Sequence, residues 1–299
     1  MKERITNLEE HKVHGLPMLP FYIYLDMHLK IEEEIYCHWH KDVEFIYVEK
    51  GSIDFNIDMK KVRISAGECI LINGGSLHFG KVVSEQESIH HAIVFNLDFL
   101  SSAIYDYCQS KYLDPIINGK KMFPLTINNS IEWGTEVTEE IKSIIKCYRQ
   151  LKPGWEIGIK ASLLRIISIL SANDGFKNKS TSNLGNSGTV HKNTLFLIKN
   201  IINYIHENYK NKIYVDSLAR VANMNTQYFC RFFKAQTGKT PIDYINQYRI
   251  ERATKILQNE DRKIMDICYE VGFENFSYFI KKFKEYKNCT PAKFRKLNK

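Results

Sequence analysis

Between residues 20 and 100 apolar and polar positions alternate with a period of two: Ile53, Phe55, Ile57 and Met59 are separated by Asp54, Asn56 and Asp58. Every second side chain of a pleated strand points to the same side, so this run predicts a half-buried antiparallel strand. Glu44–Val48, Glu68–Ile72 and His91–Leu97 predict further strands, with turns at Gly51, Gly67 and Gly74-Gly75. Short strands at this spacing predict a small barrel or jelly roll over residues 1–125.

The period then becomes helical. Val137, Ile141, Ile144, Ile145 and Tyr148 recur at helical spacing, as do Ile159, Leu163, Leu164, Ile166, Ile167 and Leu170, with Lys152-Pro-Gly154 between the two runs. This predicts a helical hairpin over 126–172. Its second helix is apolar on more than one face, so one part is expected to pack on the barrel and the rest is a candidate dimer seam, the alternative being an intramolecular hairpin and nothing more. Residues 173–193 are rich in Asn, Ser, Gly and Lys and read as a flexible linker.

Residues 194–299 carry one pattern twice, fifty positions apart. Leu218, Val221 and Ala222 sit at i, i+3, i+4 of a short helical run, and Asp216 lies in its first turn, where the helix dipole favours an anion. Asn223-Met-Asn225 interrupts the run, and Asn225 suits an N-cap for a helix that buries Phe229, Phe232 and Phe233 and turns Gln227, Tyr228, Arg231 and Lys234 elsewhere. The second copy has Ile264, Ile267, Cys268 and Val271, a turn at Gly272, then Phe279 and Phe283 inside. Two copies are too few for a solenoid but suit paired helix-turn-helix units, whose second helix enters the DNA major groove.

Charge changes the picture in the same direction. From Asn173 onward there are 23 Lys and Arg against 11 Asp and Glu, a net of +12; the first 172 residues carry 19 against 23, a net of −4, which together give the chain's +8. A basic half beside a mildly acidic one fits a nucleic-acid module joined to another function. Seven cysteines without a Cys-x-x-Cys pair predict reduced thiols and a cytoplasmic protein. The hydrophilic start has no signal-peptide core, and no run approaches eighteen apolar residues, so a membrane partner is not expected.

The C-terminal third resembles the DNA-binding domain of AraC/XylS-type bacterial transcription regulators. The resemblance rests on Ile213–Ala222, Phe232-Phe-Lys234 followed by Thr237-Gly-Lys-Thr-Pro241, Tyr248-Arg-Ile-Glu-Arg-Ala253, Ile267-Cys-Tyr-Glu-Val-Gly-Phe273, Tyr278-Phe-Ile-Lys-Lys-Phe-Lys284 and Thr290-Pro-Ala-Lys-Phe-Arg295. Tyr214 departs from the usual Ser or Thr cap, Asn288 from the usual Gly, and Cys268 from a small Ala. The resemblance implies that two recognition helices enter successive major grooves of operator DNA. The first would present Thr226, Gln227, Cys230 and Arg231, and the second Phe276, Ser277, Ile280 and Lys281. Arg231 would read guanine and Gln227 adenine, while Lys234, Lys282 and Lys284 would hold phosphates. Phe276 and Ile280 offer no hydrogen bonds, which leaves thymine methyls or simple anchoring.

His38-Trp-His40, Glu44 and Gly51 match the first cupin motif, and Gly67…Gly75-Ser-Leu-His78 resembles the second, with Asn73 and Val82 as departures. In cupin enzymes such residues hold a divalent metal, and imidazole with carboxylate suits a first-row transition ion. The same pattern occurs in the sensory barrels of AraC-type regulators, where these residues can hydrogen-bond a ligand or the strand ends. His38, His40, Glu44 and His78 are therefore candidate metal or effector ligands, with Trp39 beside them for an effector. A divalent transition metal is the candidate cofactor.

The expected architecture is multidomain α and β: a cupin-like barrel with a helical hairpin, then an all-α double helix-turn-helix domain. The expected function is sequence-specific transcription regulation, not enzymatic, by a homodimer that binds double-stranded operator DNA and a sugar or related polar effector, with RNA polymerase as a candidate partner. The rival readings are a cupin metalloenzyme targeted to DNA and a constitutive DNA-binding protein with a vestigial barrel.

Overall fold

The structure is a computed structural model that describes residues 18–30, 34–83, 87–127, 129–130, 132–178 and 186–297, with side chains of 186–192 excepted. The chain divides into two compact units, 9–187 and, apart from the first eight residues, 188–299.

The first unit is built on two antiparallel four-stranded sheets. One has the order β1 (Phe21–Leu29), β8 (Ser88–Phe95), β3 (Val43–Lys50), β6 (Cys69–Ile72); the other has β2 (Glu34–His38), β7 (His78–Val82), β4 (Ser52–Ile57), β5 (Lys60–Ser65). Ile46, Val48, Ile53, Phe55, Ile57, Ile64, Ile70 and Ile72 fill the space between them. The other face of the first sheet, with Phe21, Ile23, Val43, Phe45, Ile93 and Phe95, packs on the hairpin α2 (Glu132–Gln150) and α3 (Trp155–Ala172). β3 and β8 are thus covered on both faces, which is why they read as continuous apolar runs where β4 alternates.

Three sequence expectations need correction here. Met59 does not extend β4: Asp58 and Met59 have φ of 46° and 68° and form the two-residue turn into β5, a left-handed hairpin turn that no glycine announces. Barrel and hairpin are not separate domains at 125/126, because Thr126 bridges to Ile70 and the hairpin's Val137, Ile141, Ile159 and Leu163 share the barrel's core. The linker is shorter than 173–193. Phe176 packs on Phe123 with ring centroids 5.4 Å apart, and Lys177–Asn178 (β10) pairs with Lys121–Met122 (β9). Helix α4 (Asn186–Asn208) already begins inside the proposed linker, leaving 179–185 outside the described residues.

Between barrel and hairpin a π-helical turn, Gln109–Leu113, leads into α1 (Asp114–Ile117). In the second unit α4 is followed by α5 (Val215–Val221), α6 (Thr226–Thr237), α7 (Pro241–Asn259), α8 (Ile264–Glu270), α9 (Phe276–Lys287) and α10 (Pro291–Leu297). The N-caps repeat: Asn225 accepts from the Tyr228 amide and Asn275 from the Tyr278 amide. At the C-terminal end of α9, Asn288 takes the left-handed conformation at φ 55° that the usual glycine would supply. Tyr214 provides no side-chain cap.

The repeat slips by one residue at the turn. Leu218, Ala219 and Ala222 are buried, and they match Ile267, Cys268 and Val271 at an offset of 49. Val221, predicted inside, is 60% exposed. The turn amides show the same register, Asn223 and Met224 bonding to Arg220 and Ala219 as Gly272 and Phe273 bond to Tyr269 and Cys268. Glu274 is then the extra residue that restores the offset of 50 for α6 and α9. Phe232 is also only half-buried, while Phe229 and Phe233 form the core of the first helix-turn-helix with Tyr244. Among the described residues no helix is long and apolar enough to cross a membrane.

Candidate functional site

Arg231 and Gln227 are one helical turn apart on α6, and both are exposed. Lys234 is exposed next to them; Thr226 and Cys230 are half-buried, and the Thr226 hydroxyl donates to Asp216 on α5. That bond ties the start of the recognition helix to the first helix of its unit. Among the described residues Arg231, Lys234, Lys281 and Lys284 make no ion pair with the protein's own carboxylates, so their charge is available to a phosphate or a base edge.

The second helix-turn-helix presents a different surface. Ser277, Lys281 and Lys284 are exposed, but Phe276 and Ile280 are half-buried against the core of Phe279, Phe283, Ile267 and Val271. Both therefore contribute to packing. Lys282 is withdrawn from the phosphate set: its side chain is 13% exposed, 3.0 Å from Glu285 and 3.8 Å from Asp243, and lies over the Tyr286 ring. Sequence spacing places it one residue from Lys281, and spacing alone does not reveal the carboxylates that α7 and α9 bring to it.

Tyr228 and Tyr278 stand on α6 and α9 beside these residues. Tyr228 is 51% exposed; Tyr278 occupies the matching place and its hydroxyl accepts from the buried Asn246 amide on α7 at 3.0 Å. Arg249 is a half-buried basic residue turned to the protein's own main chain. It donates to the Tyr209 and Asn211 carbonyls, and burial pulls its pKa down.

In the barrel, His38, His40, Glu44 and His78 do converge, each offering a ligand atom within 4.8 Å of the others. His38 and His78 face each other across β2 and β7, and Glu44 comes from β3 in the opposite sheet. His40 Nε2 and His78 Nε2 lie 3.2 and 3.0 Å from the same Glu44 oxygen. Every Nδ1 is turned back on the main chain: His38 to the Tyr36 carbonyl at 2.6 Å, His40 to Asp42 at 2.9 Å, His78 to Ser76 at 2.9 Å. A ring nitrogen on a carbonyl must donate, so each Nδ1 carries a proton and Nε2 is the nitrogen turned to the carboxylate, where a proton would donate to Glu44 and a lone pair would suit a metal. Burial raises the cost of the Glu44 charge, yet His40 and His78 outweigh it and hold the carboxyl well below the usual range.

The loops that aim these side chains are locked together. The Gly75 amide donates to the His40 carbonyl, and a side chain on Gly74 would place Cβ 2.0 Å from the Lys41 carbonyl oxygen. Asn73, a departure from the cupin pattern, bonds both ways to the Phe123 backbone at 2.8 and 2.9 Å. Trp39 is half-buried.

Two neighbouring histidines on β8 were not anticipated. His90 shares the inward face with Ala92, and its buried Nδ1 has no hydrogen-bond partner among the described residues. Burial lowers its pKa to about 4. His91, on the other face, accepts the Asp26 amide at Nδ1 and donates from Nε2 to Glu49 at 2.6 Å. Arg149 of α2 joins Asp26 and Glu49 and so clips hairpin to barrel. Although Asp26, Glu49 and His91 also cluster, that tautomer carries its proton on the nitrogen a metal would need, so the group reads as a structural clasp.

Comparison with known proteins agrees with both regions. Residues 218–297 match a helix-turn-helix domain family and residues 25–90 a cupin domain family. The uncharacterized HTH-type transcriptional regulator YdeC of Bacillus subtilis (strain 168) is 27% identical over 99% of this chain and 97% of its own. An uncharacterized HTH-type transcriptional regulator in the cgkA 5' region of Pseudoalteromonas carrageenovora is 30% identical over 58% of this chain and 96% of its own. The melibiose operon regulatory protein of Escherichia coli (strain K12) is 24% identical over 87% of this chain and 83% of its own.

Proposed function

Since the chain belongs to the AraC-type helix-turn-helix transcriptional regulators, we propose that it reads an operator mainly through its first helix-turn-helix and anchors through its second. The observation that carries this reading is the exposed, unpaired Arg231 one turn from Gln227, against a second unit whose Phe276 and Ile280 are committed to packing. Arg231 suits guanine O6 and N7, and Gln227 adenine N6 and N7; Lys234, Lys281 and Lys284 suit phosphates. Binding selection from a randomised duplex pool tests it. Arg231→Ala is expected to cost about 1–3 kcal/mol and to relax the preference at one base position. Lys281→Ala is expected to weaken all sequences alike and reduce the salt slope by about 1. Equal weakening on every sequence by Arg231→Ala would reassign that residue to the backbone.

The barrel unit, on this reading, senses a small molecule. The interior between the sheets is filled by branched aliphatic side chains, so a polar effector is best placed at the end where His38, Trp39, His40, Glu44 and His78 gather. A sugar or related polar metabolite suits imidazole and indole groups, and the relative named for the melibiose operon accords with it. The protein acts as a homodimer with the hairpin as its seam, outside the face of α3 that carries Lys160 and Ser168, and RNA polymerase is its further partner. An effector that prefers one arrangement of the barrel unit shifts the dimer's DNA-binding domains between two placements.

The same four side chains also favour a divalent transition metal. Their fit rests on the three Nδ1 bonds to carbonyls, the outer arrangement that metal-binding imidazoles use. Bound there, the ion would supply a Lewis-acidic position for an oxygen-bearing effector. Calorimetric titration of the full chain with Zn²⁺, Mn²⁺ and Ni²⁺ is expected to show one site per chain, weakened by about 100-fold or more in His40→Ala. Unchanged affinity in that variant would dismiss the metal.

A further inference from the structure

A groove of about 750 Å³ opens between α3 and the segment 100–113, far from the histidine cluster in sequence and entirely within the first unit. Ligand cavities typically fall at roughly 300–1,000 Å³ and combine an apolar lining with a few convergent polar groups. Here the floor is formed by Leu100, Leu113 and Ile167, all members of the main core, and Leu164 of α3 forms a wall that is 38% exposed. Ser168 and Ser171 provide hydroxyls. Lys160 is the sole cation lining the groove, and no carboxylate lines it. Its ammonium lies 5.3 Å from the centre of the Phe99 ring, and among the described residues it has no acidic partner.

We propose that this groove binds a small amphipathic monoanion, with an apolar body on the leucine and isoleucine floor and a carboxylate on Lys160. Charge selects this occupant over a second copy of the chain. A two-fold contact sets a patch against itself, and this patch contains a cation without an anion, so a second copy would add like charge. A monoanion cancels it and places its apolar part where the core side chains are open to water. The site is independent of the operator reading and of the barrel effector, because its occupancy is measured without DNA and without the histidine cluster.

The test uses the full chain, with 4-cyclohexylbutanoate and its neutral counterpart 4-cyclohexylbutan-1-ol as probes. Calorimetry is expected to show one carboxylate per chain. Lys160→Met should weaken the carboxylate by about tenfold or more, the size of one charge-assisted contact, and leave the alcohol unchanged. Ser168→Trp, which fills the groove, should remove both. Cys108 lines the groove and is exposed, so its alkylation by iodoacetamide, read by peptide mass spectrometry, should slow at saturating carboxylate. No carboxylate binding, equal binding to Lys160→Met, or undiminished Cys108 reactivity would overturn the proposal. So would Cys108 shielding that follows protein concentration and ignores the carboxylate, which would give the groove to a second copy.

Discussion

Gly272→Ala is expected to destabilise the DNA-binding unit by about 3 kcal/mol or more, through strain at a left-handed backbone position combined with overpacking. Gly272 has φ +90° at the turn of the second helix-turn-helix, and a Cβ there would lie 2.3 Å from the Tyr209 carbonyl oxygen and 2.9 Å from that of Lys210. Both obstacles are main chain at the end of the first long helix, so neither can step aside as a flexible side chain would. Retreat of the turn would also disturb the Tyr209 carbonyl that Arg249 holds at 2.8 Å and the buried Phe273 beside it. A domain of this size is stable by about 5–15 kcal/mol, so the loss is a large fraction of the total. The first unit provides the control. Asn223 holds the equivalent place at φ 54°, is exposed and is already a residue with a Cβ, so Asn223→Ala should cost only about 1 kcal/mol. Urea unfolding of the two variants, with operator binding followed in parallel, checks the contrast; equal midpoints for Gly272→Ala and the unaltered chain would refute the steric argument.

That glycine also marks where the sequence pattern was readable and where it was not. Phenylalanine spacing gave both recognition helices and Asn225 gave the first one's cap, because those signals are local; Asn275 caps the second at the same offset. The inserted Glu274 shifts the first helix of the second unit by one residue, and a fixed offset hides such a slip, so Val221 was placed inside. In the barrel, motif spacing brought His38, His40, Glu44 and His78 together correctly. The clasp of Asp26, Glu49, His91 and Arg149 was illegible: its members are separated by as many as 123 positions, and pairing across β1, β3, β8 and α2 joins them only after folding. The groove at Lys160 was illegible for the same reason, since apolar positions on more than one face of α3 do not say what covers each of them.

His90 extends this argument to stability, and acidification is expected to loosen the barrel unit in a window set by that residue. Its ring is 4% exposed; burial is the main cause that lowers its pKa to about 4, with His91 acting in the same direction and the Glu44 charge and a Met27 backbone bond opposing. An unfolded chain would protonate it near the ordinary 6.5. Between those values the unfolded state binds the extra proton, so stability is fully present above about 6.5 and is lost as pH falls toward about 4. The shift corresponds to roughly 3 kcal/mol. Glu44, whose carboxyl is also depressed, adds its own loss only below its ordinary 4.5, as its own protonation removes the charge that His40 and His78 stabilise. The two contributions therefore separate along the pH axis. Replacing the titrating ring by an amide in His90→Gln should flatten the unfolding midpoint of the barrel unit between about pH 6.5 and 4.5 while leaving the steeper fall below it. An unaltered slope across the upper window would show that His90 is not the group that takes up the proton on unfolding.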